Sequence, residues 1–186
     1  MFVGQKVMRL SQLLFGKMHV VVSICVWLCW LVLPCRACAG EDDLLLCRSC
    51  GHEVASDSDV RFIASRLALS HRNNTMIGDK RIPVQLFENP QGVQFEVVTF
   101  RRADVFKHWP ADKHFTWYPG YSWTIATCPR CSAHLGWAFQ PSEWPDIVTD
   151  AIFQESEQTF VALIIDKLLQ ENFAATLLMV PKSFRS

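Results

Sequence analysis

Two Cys-x-x-Cys pairs constrain this chain more than any other feature. They are Cys47-Arg48-Ser49-Cys50 and Cys128-Pro129-Arg130-Cys131, with residues 51–127 between them. Each pair can form a tight turn that aims two thiolates at one tetrahedral ion, and Gly51 suits the turn after the first pair. Two such knuckles would tie distant parts of one chain together, with a whole β-domain held between them. The spacing favours structural zinc. Two disulfides, or a redox-active Cys-x-x-Cys, are the alternatives. His52, beside the first knuckle, is expected to support the site or face solvent rather than ligate.

The first 39 residues read as a secretory signal peptide. Lys6, Arg9 and Lys17 form a basic region, Val20 to Leu33 an apolar run broken only by Ser23, and Ala37-Cys38-Ala39 a cleavage signature before Gly40. The run is shorter than the roughly 20 residues a spanning helix needs; a retained membrane anchor is the alternative, and Met18 offers a second start. Cleavage would remove Cys25, Cys29, Cys35 and Cys38, leaving the two pairs as the full set of cysteines. It would also remove four basic and no acidic residues, leaving 14 Lys+Arg against 18 Asp+Glu, a formal charge of −4. That balance argues against a nucleic-acid-binding face. The expected organisation is signal peptide 1–39, one domain over 40–169 and a tail over 170–186. In a secreted chain, Asn73-Asn74-Thr75 is a glycosylation sequon on Asn73.

Alternation and turn residues predict strands at 84–87, 93–100, 121–126, 135–139 and 160–165, the first two joined by a turn at 88–92. Residues 60–69 fit strand or helix equally poorly. Segments 71–80, 103–116 and 141–157 read as loops or connections.

The aromatic residues are concentrated around the second knuckle, in Trp117-Tyr118-Pro119-Gly120-Tyr121-Ser122-Trp123 and Leu135-Gly136-Trp137-Ala138-Phe139. With Cys47-Arg48-Ser49-Cys50-Gly51-His52-Glu53, Asn89-Pro90-x-Gly92 and Cys128-x-x-Cys131-x-x-His134, these segments resemble the CULT family, the cereblon-type thalidomide-binding domains. The resemblance runs over residues 44–166. It implies a mainly β fold, a β-tent of two antiparallel sheets at a steep angle, pinned by one zinc on Cys47, Cys50, Cys128 and Cys131. It also implies a cage walled by Trp117, Trp123 and Trp137, floored by Phe139 and rimmed by Asn89. Such a cage takes a cyclic imide or uracil-like ring, free or displayed on a protein.

Two departures bear on function. The family has His two residues before the first cage tryptophan, whereas this chain has Phe115 there and His114 one place earlier. A side-chain contact to the imide is thereby lost, unless the loop slips one residue to bring His114 in, and backbone contacts remain. The family's Lon-like domain, which joins it to a ubiquitin ligase, is replaced here by the signal segment, so no ligase adaptor is expected. Membrane attachment is expected only if that segment is retained.

Three functions follow in order of expectation. The first is a secreted ring-binding module. The second is an extracellular adaptor with a vestigial cage. The third is an enzyme of the zinc-bearing methionine sulfoxide reductase type, which needs a nucleophilic cysteine beyond the zinc ligands. Trp109, Trp144 and Tyr121 are expected to be core or scaffold, and His134 to support the second knuckle.

Overall fold

Alternating apolar residues make strands here, and so do two segments whose polarity reads as loop. The computed structural model describes residues 43–178. The expected signal segment, 1–39, and the tail beyond Leu178 lie outside the described residues. A small antiparallel sheet holds β1 (Leu44–Cys47), β2 (Glu53–Ser56) and β10 (Leu168–Gln170), in the order β10-β1-β2. A larger one holds β3 (Ser70–Ile77), β4 (Lys80–Glu88), β5 (Gln94–Phe100), β6 (Phe106–Asp112), β7 (Tyr121–Thr127), β8 (His134–Pro141) and β9 (Phe160–Ile164). Its order is β3-β4-β5-β9-β8-β7-β6, antiparallel throughout. Two short helices complete the fold, α1 (Asp150–Glu155) and α2 (Glu171–Leu178). Among the described residues no helix is long and apolar enough to cross a membrane.

The hairpin at 84–100 and the pair around the second knuckle form as read. Four segments differ. Residues 71–80 are not a loop but the edge strand β3 and its turn into β4. An edge strand pairs on one side only, so its polar residues can stay in water, and the Arg72–Glu96 ion pair ties it to β5. Residues 103–116 contain β6, the opposite edge, where Pro110 is tolerated at a register shift between His108 and Asp112. Residues 60–69 form neither strand nor helix; an isolated bridge pairs Val60 with Phe100, and the Arg61 and Leu69 amides donate to the Thr99 and Leu86 carbonyls of the large sheet. Within 141–157, Thr149 caps α1 by accepting from the Ile152 amide, and Phe153 anchors the helix in the core.

β9 lies between β5 and β8 and is buried at all five positions, which explains why Phe160-Val161-Ala162-Leu163-Ile164 shows no polar face. A side chain at Gly136 would place its Cβ 2.0 Å from the Ala162 carbonyl oxygen. Glycine lets β8 run this close to β9 and so seats Trp137 and Phe139 beside the centre of the sheet.

The core divides into two clusters. One is largely aliphatic and includes Leu45, Cys47, Val54, Val98, Cys128, Leu135 and Phe153, with Trp109 packed at its edge. The other is largely aromatic: Phe87, Tyr118, Phe139 and Phe160, with Tyr121 and the tryptophans 117, 123 and 137 against it. Trp109 and Tyr121 are thus scaffold, whereas Trp144 is half-buried and joins neither cluster.

Candidate metal centre and aromatic cage

Cys47 closes β1, and Cys50 follows in the turn. Cys128 and Cys131 sit in the turn between β7 and β8. The four sulfurs converge within 4.8 Å of one another, with Cys47–Cys131 at 3.7 Å and Cys50–Cys128 at 3.6 Å. Four sulfurs about 2.3 Å from a central zinc would stand roughly 3.8 Å apart along a tetrahedron's edges, so the set fits that ion. All four cysteines are free thiols.

Both knuckles share one backbone pattern. In the first, Cys47 accepts from the Gly51 amide at 2.8 Å and donates to the His52 carbonyl at 2.7 Å; in the second, Cys128 accepts from Ser132 and donates to Ala133, both at 2.9 Å. The residue closing each turn is left-handed: Gly51 at φ 73° and Ser132 at φ 59°. Burial pushes the Cys128 thiol up, but the Cys131 and Arg130 amides outweigh it and bring the group down to about 7. This favours the thiolate that a metal requires. His52 stays out of the cluster and pairs with Asp104 at 2.8 Å. The cluster ties the small sheet to the β7–β8 turn of the large one.

Beyond this centre, β7 and β8 carry aromatic residues on one face, with Trp123 opposite Phe139 and Ile125 opposite Trp137. The turn after β4 and the loop before β7 close around them. The result is a cavity of about 290 Å³ lined by Trp117, Trp123, Trp137, Phe139, Asn89, Phe115, Pro90 and Gln91. It brings together all six residues singled out in the sequence. Pro90 and Gln91 are additions, and their place in the recognised 88–92 turn was the available clue.

Trp117 stacks on Phe87 at 4.8 Å between ring centroids and 9° between planes, and meets Trp137 edge-on at 4.5 Å. Its indole N–H donates to the Glu88 carbonyl at 3.2 Å; that of Trp123 donates to the His114 carbonyl at 2.8 Å. Phe139 is 1% exposed and stacks on Phe160 at 5.0 Å, so the floor is part of the core. The Asn89 side-chain oxygen accepts from the Gln91 and Val93 amides and shapes the turn. At the opposite rim, Phe115 adopts φ 54°. Among the described residues, neither its carbonyl nor the Trp117 amide has a protein partner. His114 does not take its place: its ring pairs with Asp112 at 2.7 Å and lies in solvent.

His134 departs from its expected role. It does not support the knuckle; its ring meets Trp137 edge-on at 4.8 Å, and Nε2 bonds the Gly136 carbonyl at 3.0 Å. Burial pushes its pKa down, so the neutral ring is favoured against the indole. Its position on β8, three residues before Trp137, sets this contact.

A buried polar chain that the sequence did not signal holds the cage from behind. Gln85 accepts from the Ser65 amide and donates to the Ile63 carbonyl, both at 2.8 Å, and to the Tyr118 hydroxyl at 3.1 Å. Ser65 in turn donates its hydroxyl to the Trp117 carbonyl. Burial pushes the Tyr118 phenol well above its usual range, keeping it neutral within this network.

The fold and site define a class: a mainly β domain with a four-cysteine cluster of the kind that holds zinc, and an aromatic cage. No family model matches the chain. It is similar to protein cereblon of several animals: 41% identical to that of Danio rerio over 59 residues (31% of this chain, 14% of the relative), and 39% to that of Gallus gallus over 59 residues (31% and 13%). Against the Drosophila simulans protein it is 30% identical over 117 residues, 61% of this chain and 17% of the relative. The chain thus spans 13 to 17% of the length of these relatives. The cage-bearing region is distantly homologous to cereblon.

Proposed function

We propose that this chain is a zinc-containing binding module whose tryptophan cage takes a small neutral cyclic imide or uracil-like ring, free or displayed on a protein. One observation carries the reading: three indoles and a phenyl floor surround a cavity whose lining has no ionisable side chain, and two of its lining residues bring a backbone acceptor and a backbone donor that have no protein partner among the described residues. The apolar faces suit a flat ring. The Phe115 carbonyl and Trp117 amide suit the N–H and carbonyl of an imide, and leaving such groups unpaired on ligand binding would cost about 1–3 kcal/mol each. A plain hydrocarbon ring is disfavoured on that account. An organic cation would gain from the indole faces but would find no acidic partner in the lining.

The thiol set and its spacing support zinc as the resident metal; bound there, it would hold the two sheets together rather than act on a ligand. Every described cysteine belongs to this cluster, so among the described residues no further cysteine stands ready as the nucleophile of a sulfoxide reductase. Export through the secretory route, directed by residues 1–39, completes the reading. Asn73 is exposed in the β3 bulge, where a glycan would be sterically admissible.

The test is a tryptophan-fluorescence titration of the zinc-loaded chain with glutarimide, then uridine. Saturable quenching that Trp123→Ala weakens at least tenfold while the protein stays folded supports the cage. No response from a folded sample would favour an adaptor whose cage is vestigial.

A further inference from the structure

A second hollow of about 290 Å³ lies where residues 63–66 cross the turn that leads into β7. It shares no lining residue with the cage. Ile63, Pro119 and the rings of Tyr118 and Tyr121 make its surface largely apolar. The core is shut at this point, Tyr118 being 2% exposed, so the hollow belongs to the surface.

Arg66 gives this hollow a chemistry the cage lacks. It is exposed, and among the described residues its guanidinium has no protein partner. Other arginines are engaged: Arg48 with the Asp166 and Leu168 carbonyls, Arg61 with the Glu157 carbonyl, Arg72 with Glu96 and Arg101 with Glu157. Arg48 and Arg102 also border hollows, but beside acidic residues, Asp166 for the first and Asp59 and Asp104 for the second. No acidic side chain lines the hollow of Arg66. The Tyr121 hydroxyl also has no protein partner among the described residues, although its ring packs edge-on against Phe160 at 5.1 Å.

The polar groups left over are thus a cation and a hydroxyl donor above an apolar floor. That combination suits an anion on an apolar body. A guanidinium offers two parallel N–H donors that match the two oxygens of a carboxylate. The segment that carries Arg66 is held in place beforehand. The Ser65 amide donates to Gln85 at 2.8 Å, the Ser65 hydroxyl donates to the Trp117 carbonyl and accepts from the Leu67 amide at 3.1 Å, and the Ala68 amide donates to the Ser65 carbonyl at 3.4 Å. Little backbone ordering is left for a ligand to offset.

We propose that this hollow is a second ligand site, for a carboxylate carried on a flat apolar body. Arg66 and the Tyr121 hydroxyl take the carboxylate, and Ile63 and Pro119 receive the body. The site stands independently of the cage and of what the cage binds.

The experiment is a ligand-observed NMR titration of the full, zinc-loaded chain with phenylacetate and with phenylacetamide, its neutral counterpart, using wild type, Arg66→Ala and Tyr121→Phe. Phenylacetate should bind wild type about tenfold more tightly than the amide, the lower end of what a charge-assisted hydrogen bond contributes. Arg66→Ala changes an exposed side chain, so the variant should fold, and it should bring that ratio close to one. Tyr121→Phe should lower the ratio about threefold, the share of a neutral hydrogen bond. N-acetylphenylalanine, which sets the same charge and ring at a chain end, is the third probe. Tighter binding of it than of phenylacetate marks a protein C-terminus as the source of the carboxylate, weaker binding a free acid, and either supports the site. Equal binding of phenylacetate and its amide to wild type, or a ratio untouched by Arg66→Ala, overturns it. So does loss of phenylacetate binding in Trp123→Ala, which would put that ligand in the cage. If neither acid binds folded wild type the second site fails, and the cage reading is unaffected.

Discussion

The two core clusters are built for different tasks. The aliphatic one lies around the cysteines and is closed: its residues pack against one another and against the thiols that join the sheets. The aromatic one is open on one side. Phe87, Phe139 and Phe160 are buried, yet the rings stacked on or beside them continue into the cavity. Stability and ligand chemistry are therefore separable at the metal end and entangled at the cage end. In this fold the cavity is the unfinished edge of the core.

The sharpest way to break that comparison is to deny the cysteine cluster its proposed zinc. Chelation, or Cys128→Ser, should cost about 5 kcal/mol or more, because the energy of a structural zinc site is folding energy. Thermal unfolding with and without chelator measures it, and an unchanged midpoint would mean that the aliphatic core stands without its pin. Next comes the floor. Phe139→Ala should cost about 3–5 kcal/mol and abolish ring binding in the same sample; lost binding at full stability in denaturant titration would show the cage to be independent of the core. The smallest effect compares the knuckles themselves. Ser132 holds the left-handed position that glycine fills in the first knuckle, so Ser132→Gly should stabilise by about 0.5–1 kcal/mol, the relief of left-handed strain less glycine's greater loss of backbone entropy. A loss of stability would mean that the Ser132 side chain offsets its backbone strain.

Much of this was readable from the residues, and the limits have physical causes. Thiol spacing and clustered tryptophans are chemical signals, so the four cysteines that cluster and six residues that line the cavity could be singled out before any geometry. The central strands were readable because buried runs such as Phe160–Ile164 must be apolar. The edges were not. β3 pairs on one side only and keeps Ser70, His71, Asn73 and Asn74 in water, so it has the composition of a loop. β6 hides behind Pro110 for the same reason. Side-chain partnerships were the least accessible: His134 sits near the knuckle in sequence but on the cage in space, and the Gln85–Ser65 chain joins segments 20 residues apart.

The indole hydrogen bonds have a kinetic consequence. With Trp117 and Trp123 each moored by its N–H to a carbonyl in another segment, neither ring can swing aside without breaking a bond. Their rotational entropy was surrendered during folding rather than at encounter. An arriving molecule meets a finished receptacle: association should proceed in one step, at a rate proportional to ligand concentration, and discrimination should fall on how fast the wrong guest leaves.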